Sequence, residues 1–248
     1  MAGRRRRRTH PGRWLVLLLV LALIAAVAGY QVSEHNARTR QRLAFDCATL
    51  TRLTASTAAD REALTARESG PIAVFMGDSY TQGVGLSQIS DDYAYVTASA
   101  MHWRAVLNAA GGTGYVAGGP CRGQQLLARV PQVVALRPAV VVIQAGLDDY
   151  QSPEQQIERA AEQVYAQLRH DLPRTRVVVV GPHAVPKVSK VRPVINALRT
   201  ATTRAHVAFI DASSWPLSFE KDGIHLTVAG HRTYGRQLAD AVPDSLRR

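Results

Sequence analysis

The sequence predicts an α/β fold: a three-layer α/β/α sandwich with a five-stranded parallel sheet, preceded by an N-terminal membrane helix. Three observations predict it. Five short apolar runs recur after Pro71, and four of them are apolar throughout rather than alternating. That is the pattern of parallel strands covered on both faces. Helical patterns lie between most of the runs, and a charge-free stretch directly follows a cluster of arginines near the N-terminus.

The N-terminal element comes first. Arg4 to Arg8 and Arg13 precede WLVLLLVLALIAAVAG, Trp14 to Gly29, a run of 16 residues, or 17 with Tyr30. Charge followed by an apolar run marks an export signal or an anchor with its N-terminus inside. The run sits at the short end of the roughly 17–25 residues of a spanning helix. Ala26-Val27-Ala28 offers a cleavage site, so a secreted, signal-cleaved form is the alternative to an uncleaved single-pass anchor; the anchor is the expectation. Either way the remainder faces outside the cytoplasm. Residues 1–30 are read as this segment, 31–70 as a polar, helical stalk with sparse leucines, and 71–248 as the main domain.

Of the net charge of +11, six arginines belong to residues 1–28, and beyond them 24 basic face 19 acidic side chains. An excess of +5 without basic motifs interleaved with aromatics gives no case for a nucleic-acid partner. Two cysteines, Cys47 and Cys121, are a plausible disulfide in an oxidising compartment, with two separate buried thiols as the alternative. No Cys or His spacing suits a metal.

The predicted strands are IAVFM (72–76), RAVLNA (104–109), AVVVIQAG (139–146), RVVVVGP (176–182) and VAFID (207–211). The clearest helix is SPEQQIERAAEQVYAQLRH. Ser152 is expected at its N-cap, Pro153 at its first position and Gln155 in the capping box. Thr227 is the expected cap of the last helix. Alternating strands and helices build a layered α/β sheet, whose ligands bind beyond the carboxyl ends of the strands.

Four stretches fall in loops at that edge: Gly77-Asp78-Ser79, Asn108 to Tyr115, Gly146 to Tyr150, and Asp222 to Thr227. A serine hydroxyl needs a base to become a nucleophile, and His225 suits that task. Asp222, three residues earlier, reaches the imidazole and fixes its tautomer. Glycines of the second loop let backbone N–H groups approach an oxyanion. Each stretch has an ordinary reading too: Ser79 as a helix cap, Asp222-Gly223 as a turn, Asp148 and Asp149 as turn residues. Their order and shared edge favour chemistry. His183 and His231 read as surface or packing residues, and Lys187, Lys190 and Arg192 as a solvated basic loop.

From about Ile72 to Val242 the chain resembles the SGNH hydrolases, also called GDSL-type esterases and lipases. FMGDSYTQG looks like their first block, AGGTGY the second, AGLDDY the third and DGIHLT the last. The resemblance implies a flavodoxin-like sheet, Ser79 as nucleophile, and Asp222 and His225 completing a triad. It implies an oxyanion hole of the Ser79 N–H and a glycine N–H, assigned to Gly112 with Gly114 left open, together with the third-block side chain. Here the sequence departs from the family: Asp148 stands where Asn is usual, and Tyr80 where Leu is usual. An ionised carboxylate cannot donate to an oxyanion. Asp148 is therefore held protonated, or the enzyme works slowly on two donors, or the site only binds.

The implied activity is hydrolysis of acyl or acetyl esters with no cofactor or metal, and the expected location points to esters of envelope glycans or lipids. An acyltransferase using the same triad and a non-catalytic envelope-binding protein are the alternatives. Oligomeric state is left open.

Overall fold

The computed structural model describes residues 11–67, 69–188 and 190–244, and only the backbone of residues 11–20, 22, 23 and 45. The chain divides into two compact units, Met1–Phe45 and Asp46–Arg248.

The first unit is the greater part of helix α1 (Pro11–Ser56). Arg38 pairs with Glu34 one turn away at 2.7 Å, and the Tyr30 hydroxyl donates to the same carboxylate. Among the described residues no helix is long and apolar enough to cross a membrane. Arg4 to Arg8 and most side chains of Trp14 to Gly29 lie outside the described residues. The backbone of α1 runs through Trp14 to Gly29, and the membrane-spanning role expected of it rests on the sequence alone.

The second unit is built on β1 (Ile72–Gly77), β2 (Arg104–Ala109), β3 (Val140–Gln144), β4 (Arg176–Val180) and β5 (Ala208–Ile210). All neighbours are parallel, in the order β2-β1-β3-β4-β5. Every expected strand is present. Alternate residues of each strand feed two cores. Phe75, Val142 and Val180 pack with α4 (Tyr93–Met101) and α8 (Val228–Ala241) on one face. Met76, Ile143 and Val179 pack with α5 (Leu126–Ala135), α6 (Glu154–Asp171) and α7 (Arg192–Ala205) on the other. The continuous valine runs are explained by this double burial.

Two local expectations shift. α6 begins at Glu154 with Pro153 at its N-cap and no side-chain cap, so Ser152 stands one residue outside the helix. Thr227 caps α8 as expected, accepting from the Gly230 N–H at 3.0 Å. The segment read as a stalk to residue 70 is also shorter: residues 46–67 belong to the compact unit. The reason is physical. Leu50, Leu53 and Leu64 are partly buried, and Cys47 is joined to Cys121 with their Cα atoms 4.9 Å apart. Thr65 of α2 (Ala58–Arg67) donates to the Ala105 carbonyl at 2.6 Å and so covers edge strand β2.

Register aligns the strand ends. Gly77 is level with Ala109 on one side and Gln144 on the other. The loops after β1, β2 and β3 therefore leave the sheet side by side, where the strand order reverses between β1 and β3 and open α/β sheets hold their ligands.

Candidate active site

The first loop runs straight from β1 into the single turn α3 (Ser79–Gln82). Asp78, not Ser79, is its cap: Oδ1 accepts from the Tyr80 N–H at 2.9 Å. Gln144 at the end of β3 donates to Asp78 Oδ2 at 3.1 Å. Burial pushes the Asp78 carboxyl up to about 6, against the lowering effects of those two donors and of nearby His225 and Arg129. With the capping role taken by Asp78, the Ser79 hydroxyl is left for other work.

That hydroxyl meets the fourth loop. Ser79 Oγ lies 3.1 Å from His225 Nε2, and His225 Nδ1 lies 2.6 Å from Asp222 Oδ2. Asp222 Oδ1 accepts from the N–H groups of Ile224 and His225 at 2.8 and 2.9 Å. Partial burial opposes the Asp222 charge, but these bonds and the imidazole outweigh it and hold the carboxyl at about 2. An ionised Asp222 fixes the proton on Nδ1, which leaves Nε2 to accept from the serine.

The second loop contains three candidate oxyanion donors, and two are already engaged. Gly111 N–H donates to Gln82 Oε1 at 2.7 Å, and Gly114 N–H to the Ala117 carbonyl at 2.9 Å. The N–H groups of Gly112 and Ser79 carry no hydrogen bond among the described residues. Gly112 holds φ +72°, a left-handed conformation natural to glycine. Of the two glycines weighed from the sequence, Gly112 is thus the one with a free donor.

The third loop is a 3-10 turn, Leu147–Asp149, whose two acidic side chains diverge in role. Asp148 lines the same cavity as Ser79, Gly112 and His225, about 300 Å³ in volume. Burial, and then the acidic groups of Asp78 and Asp149, raise its carboxyl well above the usual range. Asp149 is fully buried and accepts three backbone N–H groups, from Tyr115 at 2.8 Å, Val116 at 3.0 Å and Ala117 at 2.8 Å. A Cβ at Gly114 would sit 2.3 Å from that carboxylate, so the second loop closes over Asp149 only with glycine there.

Sequence reasoning missed the supporting residues. Buried Arg129 donates to the carbonyls of Asn108 and Gly77 at 2.6 and 3.0 Å and to Thr113 Oγ1 at 3.2 Å, tying the first two loops together. Burial lowers its guanidinium to about 10, with Asp78 acting in the opposite direction. Nothing in the local sequence marks Arg129, which sits in an otherwise amphipathic helix. Tyr80, which stands where the family usually has Leu, donates to the Ile224 carbonyl next to His225. His183 and His231 are both buried, and burial lowers them to about 4 and about 3; His231 Nδ1 accepts from the Tyr93 N–H at 3.3 Å. His183 Nε2 lies 3.1 Å from the Tyr80 hydroxyl. Among the described residues no cluster of His, Cys, Asp or Glu could hold a metal ion.

Residues 75–233, more than half of the chain, match the GDSL-like Lipase/Acylhydrolase family. The chain belongs to that family. This GDSL-type hydrolase also shares its fold with solved structures of low sequence identity. One is the M. smegmatis aryl esterase, 20% identical with a TM-score of 0.59, the match covering 70% of this chain and 98% of that one. Another is a family two carbohydrate esterase from Clostridium thermocellum, 19% identical with a TM-score of 0.60, covering 72% of this chain and 65% of that one. A third is a carbohydrate acetylesterase family member from Sinorhizobium meliloti, 17% identical with a TM-score of 0.59, covering 69% and 97%. A search of curated proteins gives no match.

Proposed function

We propose that this GDSL-type hydrolase is a serine esterase of acyl or acetyl esters, with Ser79, His225 and Asp222 as its triad. The observation that carries the reading is the unbroken hydrogen-bonded series from Ser79 Oγ through His225 to Asp222. Ser79 Oγ attacks the ester carbonyl while His225 Nε2 takes its proton. Asp222 holds the Nδ1 proton and stabilises the imidazolium that forms. The tetrahedral oxyanion is held by the N–H groups of Ser79 and Gly112 and by the O–H of a protonated Asp148. His225 then returns the proton to the leaving alcohol oxygen as the C–O bond breaks. Water, deprotonated by His225, releases the acid from the acyl-enzyme. No step calls for a metal or cofactor.

The departure at Asp148 gives the binding-only reading its single argument, namely a negative charge beside the oxyanion. Burial of that carboxyl argues for the neutral donor instead. A sugar hydroxyl in place of water gives an acyltransferase by the same steps, and an assay with and without glycan acceptors separates the two.

Location bears on the substrate. The reading is of an exported domain, tethered by its N-terminal helix, that acts on glycan or lipid esters of the cell envelope. Supporting it are the basic and then apolar N-terminus, the exposure of Leu21, Ile24 and Val27, and the Cys47–Cys121 disulfide, which suits an oxidising compartment. Carbohydrate esterases among the fold's neighbours fit the same substrate class.

The test is hydrolysis of p-nitrophenyl acetate and acetylated glycans by the wild-type protein and Ser79→Ala. The reading expects loss of at least about 10³-fold in the variant. Equal rates in both would remove Ser79 from the chemistry.

A further inference from the structure

The cavity at Ser79 has a wall that the four loops do not supply. Asp46, Thr49 and Leu50, from the last part of α1, line it beside Val84, Leu147 and Ile224. This helical segment is fastened in place three times. Cys47 is bridged to Cys121, immediately after Pro120, which lines the same cavity. Gln82 Nε2, one turn beyond Ser79, donates to the Leu50 carbonyl at 3.0 Å and to Thr54 Oγ1 at 2.8 Å. Gln82 Oε1 accepts the Gly111 N–H at 2.7 Å. One side chain thus joins the helix to the residue preceding Gly112. Leu50 also packs directly on Gly111: a side-chain carbon there would meet both Leu50 methyls at 3.0 Å.

We propose that the α1 segment Asp46–Leu50, held by the Cys47–Cys121 disulfide and Gln82, is the specificity-determining wall of the site, and that Leu50 limits the substrate to esters of short acyl groups. The inference rests on the esterase reading above and deepens it. An oxyanion held at Gly112 puts the substituents of the reacting carbonyl beside Gly112 and its neighbours, where Leu50 stands. The cavity, about 300 Å³, is at the lower bound of ligand pockets and must take the ester carbonyl, the acyl group and part of the alcohol. An acetyl group leaves that wall undisturbed. A longer chain has to displace a helix that is covalently bonded to the loop carrying Pro120, which also lines the cavity.

The experiment compares kcat/KM for the acetate, butyrate and octanoate p-nitrophenyl esters in the wild-type protein, Leu50→Ala, Leu50→Phe and the double variant Cys47→Ser, Cys121→Ser. Wild type should prefer acetate. Leu50→Ala should raise the octanoate-to-acetate ratio about tenfold or more, the scale on which a few methylenes are discriminated in an apolar pocket. Leu50→Phe should lower the butyrate-to-acetate ratio. The disulfide variant should move in the same direction as Leu50→Ala, because the wall is then free to yield. Ester hydrolysis dependent on Ser79, with ratios that neither Leu50 variant moves, overturns this inference and leaves the esterase reading intact. A wild type that prefers octanoate also overturns it. Turnover of no ester by any of these proteins overturns both.

Discussion

The Tyr80 hydroxyl donates to the backbone carbonyl of Ile224, one residue before His225. Tyr80 directly follows Ser79, so this bond joins the segment that carries the proposed nucleophile to the segment that carries its proposed base. His183, stacked on the Tyr80 ring with centroids 5.1 Å apart, holds the hydroxyl from behind. Tyr80→Phe removes the bond and keeps the ring. A net hydrogen bond is worth about 1 kcal/mol, so kcat should fall about fivefold with KM little changed. Steady-state kinetics check this, and a kcat equal to wild type would make Tyr80 a packing residue only.

Asp148 should impose an alkaline limb on activity. Its carboxyl is raised by burial and by the neighbouring Asp78 and Asp149, so it is protonated below that raised value and charged above it. The protonated form donates to the oxyanion and the charged form repels it. Activity should therefore fall as pH rises through the titration. Asp148→Asn donates at every pH, so its alkaline limb should disappear and its rate there should exceed wild type by about 10²-fold. The pH profile of kcat/KM for both proteins checks this. Parallel profiles would exclude Asp148 from the oxyanion site.

Asp149 should act through the second loop. Its carboxylate satisfies three N–H groups that Asp149→Ala leaves buried and unpaired, at about 1–3 kcal/mol each. Asp149→Asn keeps one acceptor oxygen. Thermal melts should rank wild type, Asn and Ala in falling order, and kcat/KM should follow, because the same loop carries Gly112. An unchanged kcat/KM in a destabilised Asp149→Ala would separate the loop from catalysis.

Asp92 makes stability depend on pH. Burial pushes its carboxyl up to about 8; Oδ1 accepts the Ala94 N–H, and Oδ2 has no hydrogen-bond partner among the described residues. In an unfolded chain an Asp titrates near about 3.9. Between those values the folded protein keeps a proton that the unfolded chain has lost. This group's contribution is complete below about pH 4 and is lost as pH rises through about 8. Asp92→Asn retains the bond to Ala94 and removes the titration. Its Tm should exceed wild type by several degrees at pH 8 and by little at pH 4. A gain of the same size at both values would contradict the assignment.

The strands and the four loops were legible in the sequence because each depends on a local pattern. Buried parallel strands need continuous valine runs such as Val140 to Ile143, and a turn between strand and helix needs Gly77-Asp78-Ser79. What was not legible is tertiary. Asp148 and Asp149 are adjacent and chemically identical, yet one lines the cavity and the other anchors a loop more than 30 residues away in sequence. Gln82 and Arg129 have no local signature, since their partners lie on other elements. Cys47 and Leu50 looked like features of a stalk because the surface they cover is built from residues 82 to 121.

The most direct measurement is labelling with a fluorophosphonate, located by mass spectrometry of the digested protein. An activated serine hydroxyl forms a P–O bond as fluoride leaves; an unactivated one does not react. The adduct should lie on the Ser79 peptide of wild type, be absent from Ser79→Ala, and form at least about 10³-fold more slowly in His225→Ala. An unlabelled wild type, or an adduct formed equally fast without His225, would contradict the account.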